Sequence, residues 1–359
     1  MTLVEIVKAL QLSFVSGIGN VTIKKILERF GSFENVFELS FEELSQFIGT
    51  KTANLILNSK DLEKRAVEEY KRAKKEGVRL VPLTDKNYPN NLKNISDPPS
   101  ILYVKGIFPI NEKAVSIVGT RKVSSYGRYT SEKFSKELSE DGINIVSGLA
   151  TGVDTIAHKS AIETGGFTTA VLGSGIDIVF PIENKKLYEK LYMQGCIISE
   201  FPIGTKPTKY TFPQRNRIIA GLSYATVVTE ASKKSGALIT AKYANDYGRL
   251  VFAVPSNINN INAQGSNLLL KEGAFPLTET QDIYTQIPYL KPEKHSKLKE
   301  ELPLNEIERQ ILQLLNEPTH IDLLVEKTDL NISQLSTILF DLEFKGLIKN
   351  DNGIYIRLV

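Results

Sequence analysis

INIVSGLATGVDTIAH, Ile143 to His158, decides how this chain is folded. It opens on an apolar run, passes through a loop containing Gly148 and Gly152, and continues from about Val153 as a helix. The same strand, glycine loop and helix recur along the chain. The apolar runs are AVSIVG (114–119), INIVSG (143–148), TTAVLG (168–173), CIISEF (196–201), ATVVTEA (225–231) and RLVFAVP (249–255). Runs that are apolar at successive positions are covered on both faces, whereas hairpin partners would alternate polar and apolar. The pattern from about Arg79 therefore predicts an α/β class fold, a doubly wound and mainly parallel sheet.

Outward from that core, residues 1–57 read as short helices with glycine turns, and DLEKRAVEEYKRAKKEG (61–77) as a charged connector helix. We expect a helical domain with its connector over 1–78, the sheet domain over 79–287, a proline- and lysine-rich linker over 288–303 and a compact tail over 304–359. The tail has three stretches of helical spacing followed by LIKNDNGIYIRLV, a hairpin around Asn350 to Gly353, which is the layout of a winged helix. Its third helix, Ser333 to Lys345, carries Asp341 and Glu343 against a single base, so protein contact or a structural role suits it better than a phosphate-lined groove.

The single cysteine, Cys196, sits in an apolar run, which suits a buried thiol in a reducing compartment. The three histidines (His158, His295, His320) are far apart and no cysteine cluster accompanies them, so we expect no metal and no other cofactor. No uncharged apolar run approaches a membrane span, and the expectation is a soluble cytoplasmic protein without a membrane partner. The net charge is only +3, yet between Phe201 and Lys271 nine basic residues stand against two acids. Charge concentrated in this way points to a polyanionic partner, with solvated lysines the plainer alternative.

In an open parallel sheet, ligands bind beyond the carboxyl ends of the strands. The loops there are rich in glycine, hydroxyl and base: Gly119-Thr120-Arg121, Ser147-Gly148, Gly173-Ser174-Gly175, and Glu230 through Lys234-Ser235-Gly236. Glycine lets backbone approach a ligand, and amides at a helix start favour an anion. Asp154 and His158, one turn apart on a helix, either organise its start through an Asp–His hydrogen bond or serve the site. A hydrolase triad with Ser147 is disfavoured, because a nucleophile elbow needs G-x-S-x-G and a histidine from a later loop. There is no G-x-x-x-x-G-K-[ST], and LGSGID lacks the third glycine of a dinucleotide fingerprint.

TKPTKYTFPQRNRIIAGLS (205–223) places Lys206, Lys209, Arg215 and Arg217 around Tyr210 and Phe212. Cations that track a backbone and rings that stack on bases are how single strands are held. The alternative assigns Phe212 to the core and Arg215 or Arg217 to an internal ion pair. Near the N-terminus, Ser16-Gly17-Ile18-Gly19 with Lys24 and Lys25 resembles a helix-hairpin-helix turn, whose amides grip phosphate, and Phe47 to Thr50 reads as a second copy. A glycine turn within a helical bundle is the competing role.

VGTR, SGLATGVDTIAH, LGSGID, FPQRNRIIAGLS and EASKKSGALITA followed by GSN resemble, over about residues 80–285, the signature blocks of the DprA/Smf family of bacterial DNA-processing proteins. The resemblance implies an extended Rossmann-like domain flanked by a sterile-alpha-motif-like helical domain and a winged helix. It also implies binding of single-stranded DNA without sequence preference, protection of incoming strands in natural transformation, loading of the RecA recombinase, and a homodimer. By motif, the DNA-contacting arginine falls on Arg121 and the Lys-x-x-Phe pair on Lys209 and Phe212; Ser147, Gly148, Gly173 and Ser174 would line the same pocket. Arg215, Asn216, Arg217, Lys234, Ser235 and Gly236 complete the expected surface, with Gly17, Gly19, Lys24 and Lys25 as an auxiliary site and no catalytic residue. The enzyme alternative is a nucleoside-monophosphate phosphoribohydrolase using Glu230, against which no Pro-Gly-Gly-x-Gly-Thr-x-x-Glu pattern is present, and a third is a pure interaction scaffold.

Overall fold

The computed structural model describes residues 1–292, 305–315, 317–328, 330–344, 347–351 and 353–357. Six helices open the chain: α1 (Leu3–Ser13), α2 (Asn20–Phe30), α3 (Phe33–Glu38), α4 (Phe41–Ile48), α5 (Thr50–Leu57) and α6 (Lys60–Lys75). The sheet region follows as β1 (Arg79–Pro82), α7 (Asn90–Lys93), β2 (Ile101–Gly106), β3 (Ala114–Val118), α8 (Ser125–Glu140), β4 (Asn144–Ser147), α9 (Val153–Glu163) and β5 (Thr168–Val171). It continues with α10 (Lys185–Gln194), β6 (Cys196–Ser199), α11 (Thr211–Leu222), β7 (Ala225–Val228), α12 (Ala237–Asp246), β8 (Leu250–Ala253), α13 (Gln264–Lys271), β9 (Phe275–Pro276) and α14 (Thr280–Gln286). The tail contains α15 (Glu306–Leu314), β10 (Thr319–His320), α16 (Ile321–Lys327), α17 (Ile332–Phe344), β11 (Ile348–Asp351) and β12 (Ile354–Arg357).

The sheet has the order β1-β2-β6-β5-β4-β3-β7-β8-β9. All six apolar runs form parallel strands, while β1 and β2 add an antiparallel edge next to β6. The reason the runs are unbroken is visible in β3. Val115 and Ile117 pack with Phe134 and Leu138 of α8 and Ala157 of α9, whereas Ala114 and Val118 belong to the opposite layer with Ile218 and Ile219 of α11 and Ala241 of α12. The apolar strand residues enter one of two cores, and burying a valine or isoleucine stabilises by about 1.5–3 kcal/mol.

The N-terminal helices and the sheet form one compact unit, Met1–Lys291. Two buried carboxylates tie them together. Glu5 of α1 accepts the Phe33 and Glu34 amides at 3.0 and 2.9 Å, capping α3, and also the Thr84 hydroxyl at 2.6 Å from the loop after β1. Glu69 of α6 accepts the Ile203 amide at 2.7 Å. Gly49, at φ +81°, turns the chain between α4 and α5 where a side chain would be strained.

The second unit is Pro292–Val359. It packs α15, α16 and α17 around a small core, and its sheet order is β10-β12-β11, a winged helix. The Asn350–Gly353 turn joins β11 to β12, with the Gly353 amide donating to the Asn350 side chain at 2.9 Å. Most of the expected linker, residues 293–303, lies outside the described residues, as does Lys345, the one base expected on α17. Among the described residues no helix is long and apolar enough to cross a membrane, and no cluster of metal-ligating side chains occurs. Cys196 is buried, and burial pushes its thiol pKa up.

Candidate nucleic-acid interface

The chain winds from β3 through β4, β5 and β6, then returns along α11 to lay β7 on the other side of β3. Loops leaving β3 and β7 diverge at that reversal, which opens a crevice at the carboxyl ends of the strands. Two cavities occupy it, of about 390 and 310 Å³. Arg121, Ala150, Phe212 and Arg215 line both and form their common wall. The larger is walled also by Gly148, Gly173, Ser174, Phe180, Pro181, Ile182 and Glu183 among others. The smaller is walled also by Gly119, Thr120, Asp154, Asn216, Lys234, Ser235 and Gly236 among others.

Phe212 is placed by the start of α11. The Thr208 hydroxyl accepts the amides of Tyr210 and Thr211, both at 3.2 Å, and Pro213 occupies the first turn, where its missing N–H costs nothing. The half-buried ring rests on Gly173, where an added Cβ would lie 2.8 Å from the ring edge. Phe180 packs against its side at a centroid distance of 5.7 Å, and the exposed Arg121 guanidinium stands 5.6 Å from the ring centroid. A partly open ring beside a cation is a surface on which a base can stack. Lys206, Lys209, Lys233 and Lys234 are exposed and, with Arg121, have no ion-pair partner among the described residues. Lys209 lies 5.1 Å from the Tyr210 ring centroid, on the approach to Phe212.

Arg215 is buried beneath Phe212. Its guanidinium donates to the carbonyls of Gly148, at 2.5 Å, and Val171, and its Nε donates to Asn216 Oδ1 at 3.2 Å. Burial lowers its pKa to about 10, against the pull of Asp154, so it stays charged at neutral pH. Asp154 accepts the amides of Gly148 at 3.1 Å and Ala150 at 3.3 Å. The intervening Leu149 has φ +56°, a backbone turn that aims successive amides at one anion. Burial raises the Asp154 pKa, while Arg215 and those amides oppose the rise.

These contacts correct several expectations. The Gly148 amide, expected to grip phosphate, is engaged by Asp154. The Ser147 hydroxyl is buried and donates to Ile117 O at 2.7 Å, so it is not on the groove. Arg217, expected to neutralise phosphate, is buried in an ion pair with Glu200 and donates to Asp97 O at 2.6 Å. His158 is not bonded to Asp154; its Nδ1 pairs with the Thr168 hydroxyl at 2.7 Å, and burial drives its pKa down to about 3. Lys24 donates to Ile95 O at 2.8 Å, and so holds α2 to the sheet unit, while Gly17, Gly19 and Lys25 are exposed away from the crevice residues. Glu230 is buried, bonded at both carboxylate oxygens, and lines neither cavity. The sequence reading stopped at Asp177 and missed Phe180, Pro181 and Ile182. Phe180 and Ile182 flanking Pro181, shortly after the Gly173 to Gly175 loop, were the available signal, and the structure exposes both.

Known proteins resemble the chain along its length. The family model described as DNA recombination-mediator protein A matches residues 79–288, the DprA winged helix domain residues 296–353, and a SAM-like helix-hairpin-helix tandem residues 9–59. Protein Smf of Synechocystis sp. is 35% identical, covering 95% of this chain and 96% of that protein. DNA processing protein DprA of Bacillus subtilis is 39% identical over 60% of this chain and 73% of its own length. The crystal structure of DprA from Streptococcus pneumoniae superposes with a TM-score of 0.68 at 35% identity, covering 80% of this chain and 98% of that one. DNA processing protein A from Helicobacter pylori, whose structure is described in terms of its single-stranded DNA binding mode, gives a TM-score of 0.53 at 29% identity over 59% of this chain and 97% of that one.

Proposed function

The chain belongs to the DNA recombination-mediator protein A family, the DprA/Smf proteins, and from that premise we propose that its crevice binds single-stranded DNA without sequence preference. The observation that carries this reading is the common wall of the two cavities: an open Phe212 face with Arg121 beside it and Arg215 buried beneath. A ring accepts any base, and Arg121, Lys209 and Lys234 supply cations that follow the phosphates. The single-stranded DNA binding mode described for the Helicobacter pylori relative supports the choice of polymer. Within this reading the protein is a non-enzymatic homodimer that shields incoming strands and hands them to a RecA-type recombinase. The surroundings of Glu230 argue against hydrolysis, because an acid catalyst must reach its substrate.

The test is a titration with single- and double-stranded oligonucleotides of equal length at low and high salt. The expected result is preference for the single strand with an affinity that falls as salt rises. Equal affinity for both forms, or release of free base from nucleoside monophosphates, would refute it.

A further inference from the structure

Glu230 has a place in the molecule that catalysis does not explain. It follows β7, and its two carboxylate oxygens hold two separate segments of the same sheet edge. Oε2 accepts the Ser124 amide at 2.9 Å, at the start of α8, and Oε1 accepts the Asn260 side chain at 3.1 Å, from the loop after β8. Gly127 lies so close to the carboxylate that any Cβ there would collide with it. The Tyr126 hydroxyl, donating to Pro255 O at 3.1 Å, fastens the same two segments a second time. The start of α8 is itself satisfied, since the Ser124 hydroxyl takes the Gly127 amide at 3.0 Å. What these fastened segments offer is therefore their side chains.

Those side chains are unusual for a water-facing surface. Tyr126 is 46% and Tyr129 61% exposed, three residues apart on one face of α8, and Ile258 and Ile261 in the facing loop are 88% and 72% exposed. Clustered exposed apolar groups mark a binding surface. Lys122 is exposed just before α8, while Arg128, about 160° from Tyr126 around the helix, pairs with Glu132 at 3.7 Å on the opposite flank. Arg121 in the crevice wall is followed at once by Lys122, so the surface continues the crevice past β7 toward β8. Cations interleaved with rings suit a single strand better than a protein partner, which would bury the charges.

We infer that this surface is a second arm of the DNA groove, holding nucleotides that leave the crevice over α8 and the 256–262 loop, with Tyr129 stacking a base and Lys122 meeting a phosphate. The inference rests on the proposed function. Its test compares oligodeoxythymidylates of roughly 6 and roughly 20 nucleotides, the shorter filling the crevice alone. Combining Lys122→Ala, Tyr129→Ala and Ile258→Ser should weaken binding of the longer strand about tenfold, within the range for one lost stacked base, and leave the shorter one within about twofold. Arg121→Ala with Lys209→Ala should weaken both. A longer strand carrying 5-iododeoxyuridine should also crosslink to Tyr129 in the unmodified protein, and the shorter should not. If the triple variant binds both lengths like the parent while the crevice variant loses both, the second arm is wrong and the crevice stands. Equal loss on both lengths would overturn the arm too. If neither variant changes binding at either length, the crevice reading has failed and the arm with it.

Discussion

The exposed and the buried cations around the crevice should separate cleanly under salt. Arg121 and Lys209 are exposed and unpaired among the described residues, whereas Arg217 is buried against Glu200 and Asp97. A phosphate contact on a single strand contributes about 0.7 to the slope of log affinity against log salt. Removing Arg121 and Lys209 together should lower that slope by about 1.4, so that the affinity lost between 50 and 200 mM salt shrinks by about sevenfold. Replacing Arg217 by alanine leaves the Glu200 carboxylate buried without its cation, and breaking such a pair costs about 3–5 kcal/mol of stability. Arg217→Met with Glu200→Gln removes both charges and keeps the volume, so it should remain folded. Fluorescence anisotropy of a labelled oligonucleotide across a salt series, with urea denaturation of each variant, reads both quantities. If the folded Arg217→Met/Glu200→Gln protein loses about 0.7 from the slope, Arg217 meets phosphate and the division of roles is refuted.

Gly148→Ala would set a Cβ 2.5 Å from the Arg215 guanidinium, which the Gly148 and Val171 carbonyls hold in place, so strand affinity should fall at least about tenfold with about 1–3 kcal/mol of stability, read by the same anisotropy and urea assays. Ser147→Ala should cost about 1 kcal/mol and leave affinity within about twofold, since its buried hydroxyl serves Ile117 O and the Asp154 carboxylate rather than the groove. His158 has a folded pKa depressed from 6.5 to about 3, so its stabilising effect is present above pH 6.5 and is lost as pH falls toward 3. Between pH 7 and 5 this one group should remove about 2 kcal/mol from the unfolding free energy, and His158→Gln should abolish that component.

The six parallel strands were legible because burial on both faces leaves an unbroken apolar run, and in three of them a closing glycine, Gly119, Gly148 or Gly173, marks the turn that follows. The antiparallel edge was not, since RLVP and ILYVKG, set apart from the parallel strands by Arg79 and Lys105, mark an edge but pairing direction has no composition of its own. The roles within FPQRNR were half legible. At about 100° per residue Arg215, Asn216 and Ile219 fall on the face of Phe212, while Arg217 lies about 140° away, so helical geometry already aimed it elsewhere. Counting bases without placing them on the helix concealed this. The partner of the Gly148 amide could not be read, because it depends on Leu149 adopting a left-handed turn that leucine rarely takes.

That turn bears on which phosphates the protein ignores. A small nucleotide seeking the amides of Gly148 and Ala150 meets a carboxylate already tethered there, six and four residues downstream, at an effective concentration no free metabolite matches. It would also bring its own charge against Asp154. A polymer held by Arg121, Phe212 and the surrounding lysines faces no such rival, for it never asks for those amides. If the crevice holds single-stranded DNA as proposed, the Asp154 side chain is a resident competitor for the Gly148 and Ala150 amides, leaving to a strand the ring and cations around them.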